Sequence, residues 1–144
     1  MAVVEAVCIS EKKGIVKREQ EFVQVKEMWG IEGDAHAGDW HRQVSLLAAE
    51  SIAIVKESLP ALKKGAFAEN IITRGIDLAR LAIGDKVQIG ESVILEVTQI
   101  GKECHNKGCA IKKATGDCIM PREGIFSKVL SGGEIKPGDQ IQLI

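Results

Sequence analysis

The sequence has no tyrosine, and phenylalanine, tryptophan and tyrosine together account for only 3% of it. A chain this poor in rings lacks the stacking platform on which single-stranded nucleic acid is held. It also lacks an excess of charge: the net charge is -1, which leaves no electrostatic footprint for nucleic acid or an anionic membrane. No apolar run approaches the ~20 residues needed to span a bilayer. The opening residues, Met1-Ala-Val-Val-Glu-Ala-Val-Cys-Ile9, lack the basic region and long apolar core of an export signal. Four cysteines without such a signal read as reduced thiols. The expected compartment is the cytoplasm, with neither nucleic acid nor membrane as a partner.

What is present is ordinary globular material, 45% hydrophobic and 27% charged. A length of 144 residues suits a single domain, residues 1–144. Such a chain buries about 68–70% of its unfolded surface and needs no disulfide to fold. Val3 to Ile9 predicts a strand, and Phe22-Val-Gln-Val-Lys26 a second. Gly30 to Asp39 is glycine-rich and aperiodic and predicts a loop. Val44-Ser-Leu-Leu47 continues as a strand. Ile52, Val55 and Leu59 fall at helical spacing within Ala49 to Leu59, and Pro60 ends that helix. Phe67 to Thr73 predicts a strand with Glu69 and Asn70 in its middle, and Leu78 to Ile83 one helical turn.

Two segments, Ile83-Gly-Asp-Lys-Val-Gln-Ile89 and Pro137-Gly-Asp-Gln-Ile-Gln-Leu143, share one pattern. Each predicts a glycine turn braced by an aspartate side chain, followed by an alternating strand. Short strands with such corners predict a mostly β fold, a closed or nearly closed β-barrel with one main helix and short helical turns.

Several residues carry chemistry. Cys104 follows the strongest strand pattern, Leu95-Glu-Val-Thr-Gln-Ile100, with Lys102 before it and His105 beside it. Nearby positive charge lowers a thiol pKa, and the thiolate is both nucleophile and metal ligand. The plainer alternative is an inert cysteine. Cys104, His105, Cys109 and Cys118 could form a zinc knuckle, but the second close pair of a structural zinc site is missing. Gly33-Asp-Ala-His36-Ala-Gly38, followed by His41 and Arg42, offers a loose metal pattern or a histidine capping its own backbone. Asn70 must find partners if buried, either as a brace or towards a ligand. Arg122, in Pro-Arg-Glu-Gly, sits on a stiff turn from which a guanidinium can fork onto an anion.

Taken in order, Gly33-Asp-Ala-His-Ala-Gly38, Arg42-Gln-Val-Ser-Leu-Leu47, Glu69-Asn70-Ile71, Ile83-Gly-Asp85, Glu96-Val-Thr-Gln99 leading to Cys104, Arg122-Glu-Gly-Ile-Phe126 and Gly138-Asp139 resemble the MOSC domain. That family is named for the C-terminal domain of molybdenum cofactor sulfurases, and the resemblance spans essentially the whole chain. It implies a MOSC-type β-barrel and places the family's usual cysteine, just after the Thr-Gln strand, at Cys104. One departure is Glu103, where many members have proline. A neighbouring carboxylate opposes thiolate formation.

The resemblance implies a role in molybdenum cofactor metabolism, by one of two mechanisms. Cys104 ligates molybdenum while Arg42, Lys102 and Arg122 anchor the pterin phosphate, with His36 and Asn70 as further cofactor-binding residues. Alternatively Cys104 carries sulfur as a persulfide. The sulfur would come from a cysteine desulfurase whose pyridoxal phosphate resides on that partner. Biosynthesis or acceptor proteins of the cofactor are the other expected partners. Sulfur transferase and molybdenum-dependent oxidoreductase component are the corresponding activities. Some relatives reduce N-hydroxylated compounds, and a non-catalytic zinc-knuckle assembly module is a further alternative.

Overall fold

The structure is a computed structural model and describes residues 2–101 and 123–144. The fold is mostly β. Among the described residues the strands are β1 (Val3–Ile9), β2 (Arg18–Gln20), β3 (Val23–Lys26), β4 (Gly30–Ile31), β5 (Val44–Ala48), β6 (Ile71–Arg74), β7 (Lys86–Ile89), β8 (Val93–Ile100), β9 (Ile125–Ser131), β10 (Gly133–Ile135) and β11 (Ile141–Leu143). Between them come an α-helix, α1 (Ala49–Ser58), and a 3-10 turn at Leu78–Arg80. An eight-stranded sheet runs in the order β11-β7-β8-β9-β5-β6-β1-β2, and a three-stranded sheet runs β10-β3-β4.

Among the described residues the sheets are not closed into a barrel, so the predicted closure is not shown. β2 and β11 remain the edges of the larger sheet. The start of β1 meets the 136–141 corner only locally, through Val4 N–H to the Asp139 carbonyl at 2.9 Å, Gly138 N–H to the Val4 carbonyl at 2.8 Å and Ile141 N–H to the Ala2 carbonyl at 2.9 Å. These bonds curl the sheet and stop short of a continuous ladder.

Side-chain alternation divides the core between two faces. Val44 and Leu46 of β5 join Val87, Ile89, Leu95, Val97 and Val129 in the larger cluster. Leu47 points the other way, joining Ala6, Cys8, Ile72 and Phe126 under Ala49 and Ile52 of α1. β1 departs from strict alternation, since Val4 and Val7 share a cluster. The pairing of β1 with β6 shifts register between Val4 and Ala6, and such a bulge changes which face the next residue meets.

The parallel pair β5–β6, with Leu46 opposite Ile71, needs a crossover, and α1 supplies it. Glu50 in the first turn and Lys56 in the last match the helix dipole. The helix stops at Leu59, which Pro60 holds out of the helical region.

The two Gly-Asp corners are built alike. The Asp85 side chain accepts the Ala82 N–H at 2.9 Å, and the Asp139 side chain accepts the Lys136 N–H at 3.0 Å. Gly84 and Gly138 take φ of 97° and 94°. The strands that follow then pair with each other, Ile89 opposite Ile141 and Val87 opposite Leu143. Asp139→Ala should therefore cost about 1 kcal/mol, the net worth of one such hydrogen bond, read as a lower urea midpoint at unchanged slope. An unchanged midpoint would show that the glycine alone sets the corner.

The predicted strand Phe67 to Thr73 is shorter than expected. Glu69 is fully buried, and its carboxylate accepts the N–H of Gly65 at 3.0 Å and of Phe67 at 3.0 Å, folding residues 65–69 into a turn. Ala68 there takes a φ of 63°. Three short strands, β2, β4 and β10, fall where the sequence shows no run long enough to alternate.

Candidate functional site

The loop between β4 and β5 is organised by Asp34. One carboxylate oxygen accepts the Ser10 N–H at 3.1 Å and the Lys17 ammonium at 2.7 Å, and the other accepts the His36 N–H at 3.1 Å. Lys17 and Asp34 side chains are completely buried. Two opposite charges withdrawn from water together persist because each is paired and hydrogen-bonded. The Lys17 ammonium also reaches Ser10 Oγ at 3.1 Å and His36 Nδ1 at 2.9 Å.

Trp40 gathers the rest of the loop. Its indole N–H donates to the His36 carbonyl at 2.7 Å, and its ring lies parallel to the His36 ring with centroids 6.3 Å apart. Lys13 Nζ stands 4.5 Å from the Trp40 ring centre. The Arg42 guanidinium stands 4.9 Å from it and 5.6 Å from that of Phe126. Cations over ring faces are attracted by the ring quadrupole. Arg42 Nε is buried and has no hydrogen-bond partner among the described residues. A buried donor left unpaired costs about 1–3 kcal/mol, and an anion's oxygen would relieve it.

The loop is fastened to the end of β8. Thr98 Oγ1 donates to the His41 carbonyl, and His41 Nε2 meets Gln99 Oε1 at 2.8 Å. Gln99 Nε2 donates to the Gly101 carbonyl at 2.7 Å, which fixes the amide so that Oε1 accepts from His41. Gly101 N–H in turn donates to the Gly124 carbonyl at 2.7 Å, clasping the ends of β8 and β9. Beyond Ile100 opens a cleft of about 410 Å³ walled by Ile76, Ile100, Ile125, Glu50, Asp77 and Glu123. Its described walls carry three carboxylates, Glu50, Asp77 and Glu123.

The structure thus brings His36 and Arg42 together around Trp40. It places Asn70 elsewhere, inside the sheet. Asn70 Oδ1 accepts the Ser45 N–H at 3.0 Å and its Nδ2 donates to the Cys8 carbonyl at 3.1 Å, the geometry of a brace between β1 and β5. Among the described residues no three His, Cys, Asp or Glu side chains cluster as a metal site. Cys104, Lys102, His105, Cys109, Cys118 and Arg122 lie outside the described residues. Sequence reasoning missed Lys17, Trp40 and Gln99. Lys17 follows the polar turn Glu11-Lys-Lys-Gly14 and reads as solvated; only its pairing with Asp34 shows otherwise.

Two buried groups have shifted acidities. Cys8 is fully buried, and burial, with Glu69 and Glu19 adding to it, pushes its thiol up to about 12. Burial likewise raises Glu69 above its ordinary 4.5, against the two N–H groups it accepts. The folded protein therefore holds the Glu69 proton more tightly than the unfolded chain does. Stability from this group is full below the ordinary carboxylate range and is lost as pH rises through the raised folded pKa. The stability of the wild type relative to Glu69→Gln should accordingly fall as pH is raised above 4.5. A difference independent of pH, in parallel thermal melts, would contradict this.

Comparison with known proteins agrees with this architecture. The family model for the MOSC domain matches residues 33–142. No curated protein matches the sequence. The crystal structure of the YuaD protein from Bacillus subtilis is similar at a TM-score of 0.79 and 19% identity, covering 98% of this chain and 94% of that one. YiiM from Geobacillus stearothermophilus is similar at a TM-score of 0.72 and 18% identity, over 100% of this chain and 75% of that one. YiiM from Escherichia coli gives 0.68 and 17%, over 99% and 69%. These likenesses establish a shared fold. The family match begins at Gly33, takes in the whole Asp34–Arg42 loop and runs through the second Gly-Asp corner, and on that match the chain belongs to the MOSC domain family.

Proposed function

We propose that this MOSC domain binds the molybdenum cofactor beside the end of β8, with Cys104 as the thiolate ligand to the metal. The observation that carries the reading is the buried, unpartnered Nε of Arg42. A guanidinium braced on two rings, with one donor already desolvated and unspent, fits a phosphate oxygen. Gln99 and Gly101 tie the same loop to the strand end from which the chain continues to Cys104. The donor set therefore fits the anionic end of a pterin phosphate. His36, Lys102 and Arg122 are the further groups proposed to hold it. Asn70, which braces β1 against β5, is proposed to support the site only by holding the sheet. Bound there, the molybdenum centre would supply two-electron oxygen- or sulfur-transfer chemistry.

The residues of this chain would do three things. Arg42 would bind the phosphate. Trp40 would hold the Arg42 plane fixed, so that little rotamer freedom is lost on binding. Cys104 would offer sulfur, the soft donor that molybdenum prefers. Biosynthesis or acceptor proteins of the cofactor are the proposed partners. No helix among the described residues is long and apolar enough to cross a membrane.

Arg42→Ala should weaken molybdopterin binding by roughly 1.5–3 kcal/mol, the range for a charged hydrogen bond. Arg42→Lys, which keeps the charge and loses the fork, should recover only part of that. The measurement is a binding isotherm with molybdopterin released from a donor protein. A folded Arg42→Ala variant with wild-type affinity would remove Arg42 from the site.

A further inference from the structure

We propose that Lys17 is a positioning residue: its buried ammonium fixes His36 as a neutral imidazole that carries its proton on Nε2. The argument is one of donors and acceptors. A lysine ammonium has three N–H donors and no acceptor. Lys17 Nζ lies within hydrogen-bond distance of Asp34 Oδ1 at 2.7 Å, His36 Nδ1 at 2.9 Å and Ser10 Oγ at 3.1 Å. Asp34 can only accept while it is ionised, and the 2.7 Å contact between fully buried groups is that of an ion pair. Ser10 Oγ spends its own proton on the Lys12 carbonyl at 3.1 Å, so it accepts from Lys17. The remaining ammonium proton is directed at His36 Nδ1. That nitrogen must present its lone pair, and the imidazole proton resides on Nε2.

Full protonation of His36 would place two donors face to face at 2.9 Å. Asp34 Oδ2 pulls the other way, but from 3.8 Å, and Asp34 is already engaged by Lys17. Among the described residues, Lys13 and Arg42 lie over the Trp40 ring that stacks on His36, and His41 meets its edge. Lys13 and Arg42 are further cations and oppose an imidazolium.

The consequence rests on the cofactor reading above and deepens it. With Nδ1 committed to Lys17, His36 can act through Nε2 only as a hydrogen-bond donor. It is neither a general base at Nε2 nor a metal ligand through Nδ1. The Asp34, His36 and His41 pattern therefore reads as a wired donor and not as a metal triad.

The test uses the free, uniformly 15N-labelled protein and long-range proton–nitrogen correlation of its histidine rings. The expected wild-type spectrum shows His36 Nδ1 unprotonated and Nε2 protonated, unchanged from pH 8 to pH 5, across the ordinary histidine pKa of about 6.5. Lys17→Met combined with Asp34→Asn removes both buried charges at once and leaves neither unpaired. In that variant His36 should populate both tautomers and titrate near its ordinary value. A proton on Nδ1 in the wild type, ordinary titration in the wild type, or an unaltered spectrum in the double variant would each overturn the proposal. If the double variant does not fold, Lys17→Gln takes its place with the same two readings. No cofactor is present in these samples, so failure here is separate from failure of the cofactor assignment, which the Arg42 binding isotherms decide.

Discussion

Cys104→Ser is expected to abolish molybdenum retention while leaving the melting temperature of the domain unchanged. The proposed role requires a thiolate, and a serine hydroxyl neither ionises near neutral pH nor offers the soft donor atom. Cys104 lies within residues 33–142, which the family model matches. The structure adds a contrast. Cys8 is fully buried with its thiol pushed up to about 12, so it holds almost no thiolate at pH 7. Lys102 flanks Cys104 in sequence on one side and His105 on the other, and cationic neighbours lower a thiol pKa. Competition alkylation with peptide mapping should therefore modify Cys104 fastest and Cys8 slowest. Molybdenum analysis of protein isolated from cells making the cofactor then reads the functional loss. Full metal retention by a folded serine variant would refute the ligand assignment. A wild type that carries an extra sulfur on Cys104, with no molybdenum, would instead favour sulfur carriage with a cysteine desulfurase as the donor.

Much of the architecture was legible because it is written locally. β1 spans the predicted residues, Val3–Ile9, because an unbroken valine-rich run leaves no competing structure. The helix is marked by the spacing of Ile52 and Val55 and by the stop at Pro60. The Gly-Asp corners need only a positive φ and an aspartate one residue later, and both were found with the predicted side-chain bond. Closure was not legible, since it depends on tertiary contacts such as those between the start of β1 and the 136–141 corner, which no local pattern encodes. The turn at 65–69 was misread for a related reason. Glu69 looks like a polar interruption of a strand until its carboxylate is seen to accept two backbone N–H groups. At the site, His36 and Arg42 stand out by motif, whereas Lys17 is 17 residues from Asp34 and 19 from His36. Its role is a tertiary fact with no local signature.

Gly65→Ala should be among the most damaging single substitutions in the chain, and it links that turn to the site. Gly65 takes a φ of 91°, in the left-handed region, and a Cβ built there would lie 2.0 Å from the Lys17 carbonyl oxygen. The neighbour is backbone, which cannot rotate away as a side chain can. It is also committed, because Lys17 N–H donates to the Gly65 carbonyl at 2.8 Å. The Gly65 N–H meanwhile serves Glu69 at 3.0 Å. Left-handed strain costs an alanine about 1–2 kcal/mol, and forcing apart packed groups adds roughly 1–3 kcal/mol. The expected loss of about 2–5 kcal/mol is a large share of the ~5–15 kcal/mol that a typical domain has. Gly14→Ala isolates the strain, since Gly14 has a φ of 80° and nothing within 4 Å of its would-be Cβ. That control should lose only about 1–2 kcal/mol. The displaced segment is the one that carries the Lys17 ammonium to Asp34 and His36. In whatever fraction of Gly65→Ala still folds, His36 should therefore lose its fixed tautomer, whereas Gly14→Ala should keep it. Urea titration of both variants alongside the wild type gives the stabilities, and histidine nitrogen spectra give the second reading. Equal stability of the two alanine variants would mean that the 65–69 turn yields freely, and that the approach of Gly65 to Lys17 does not constrain the fold.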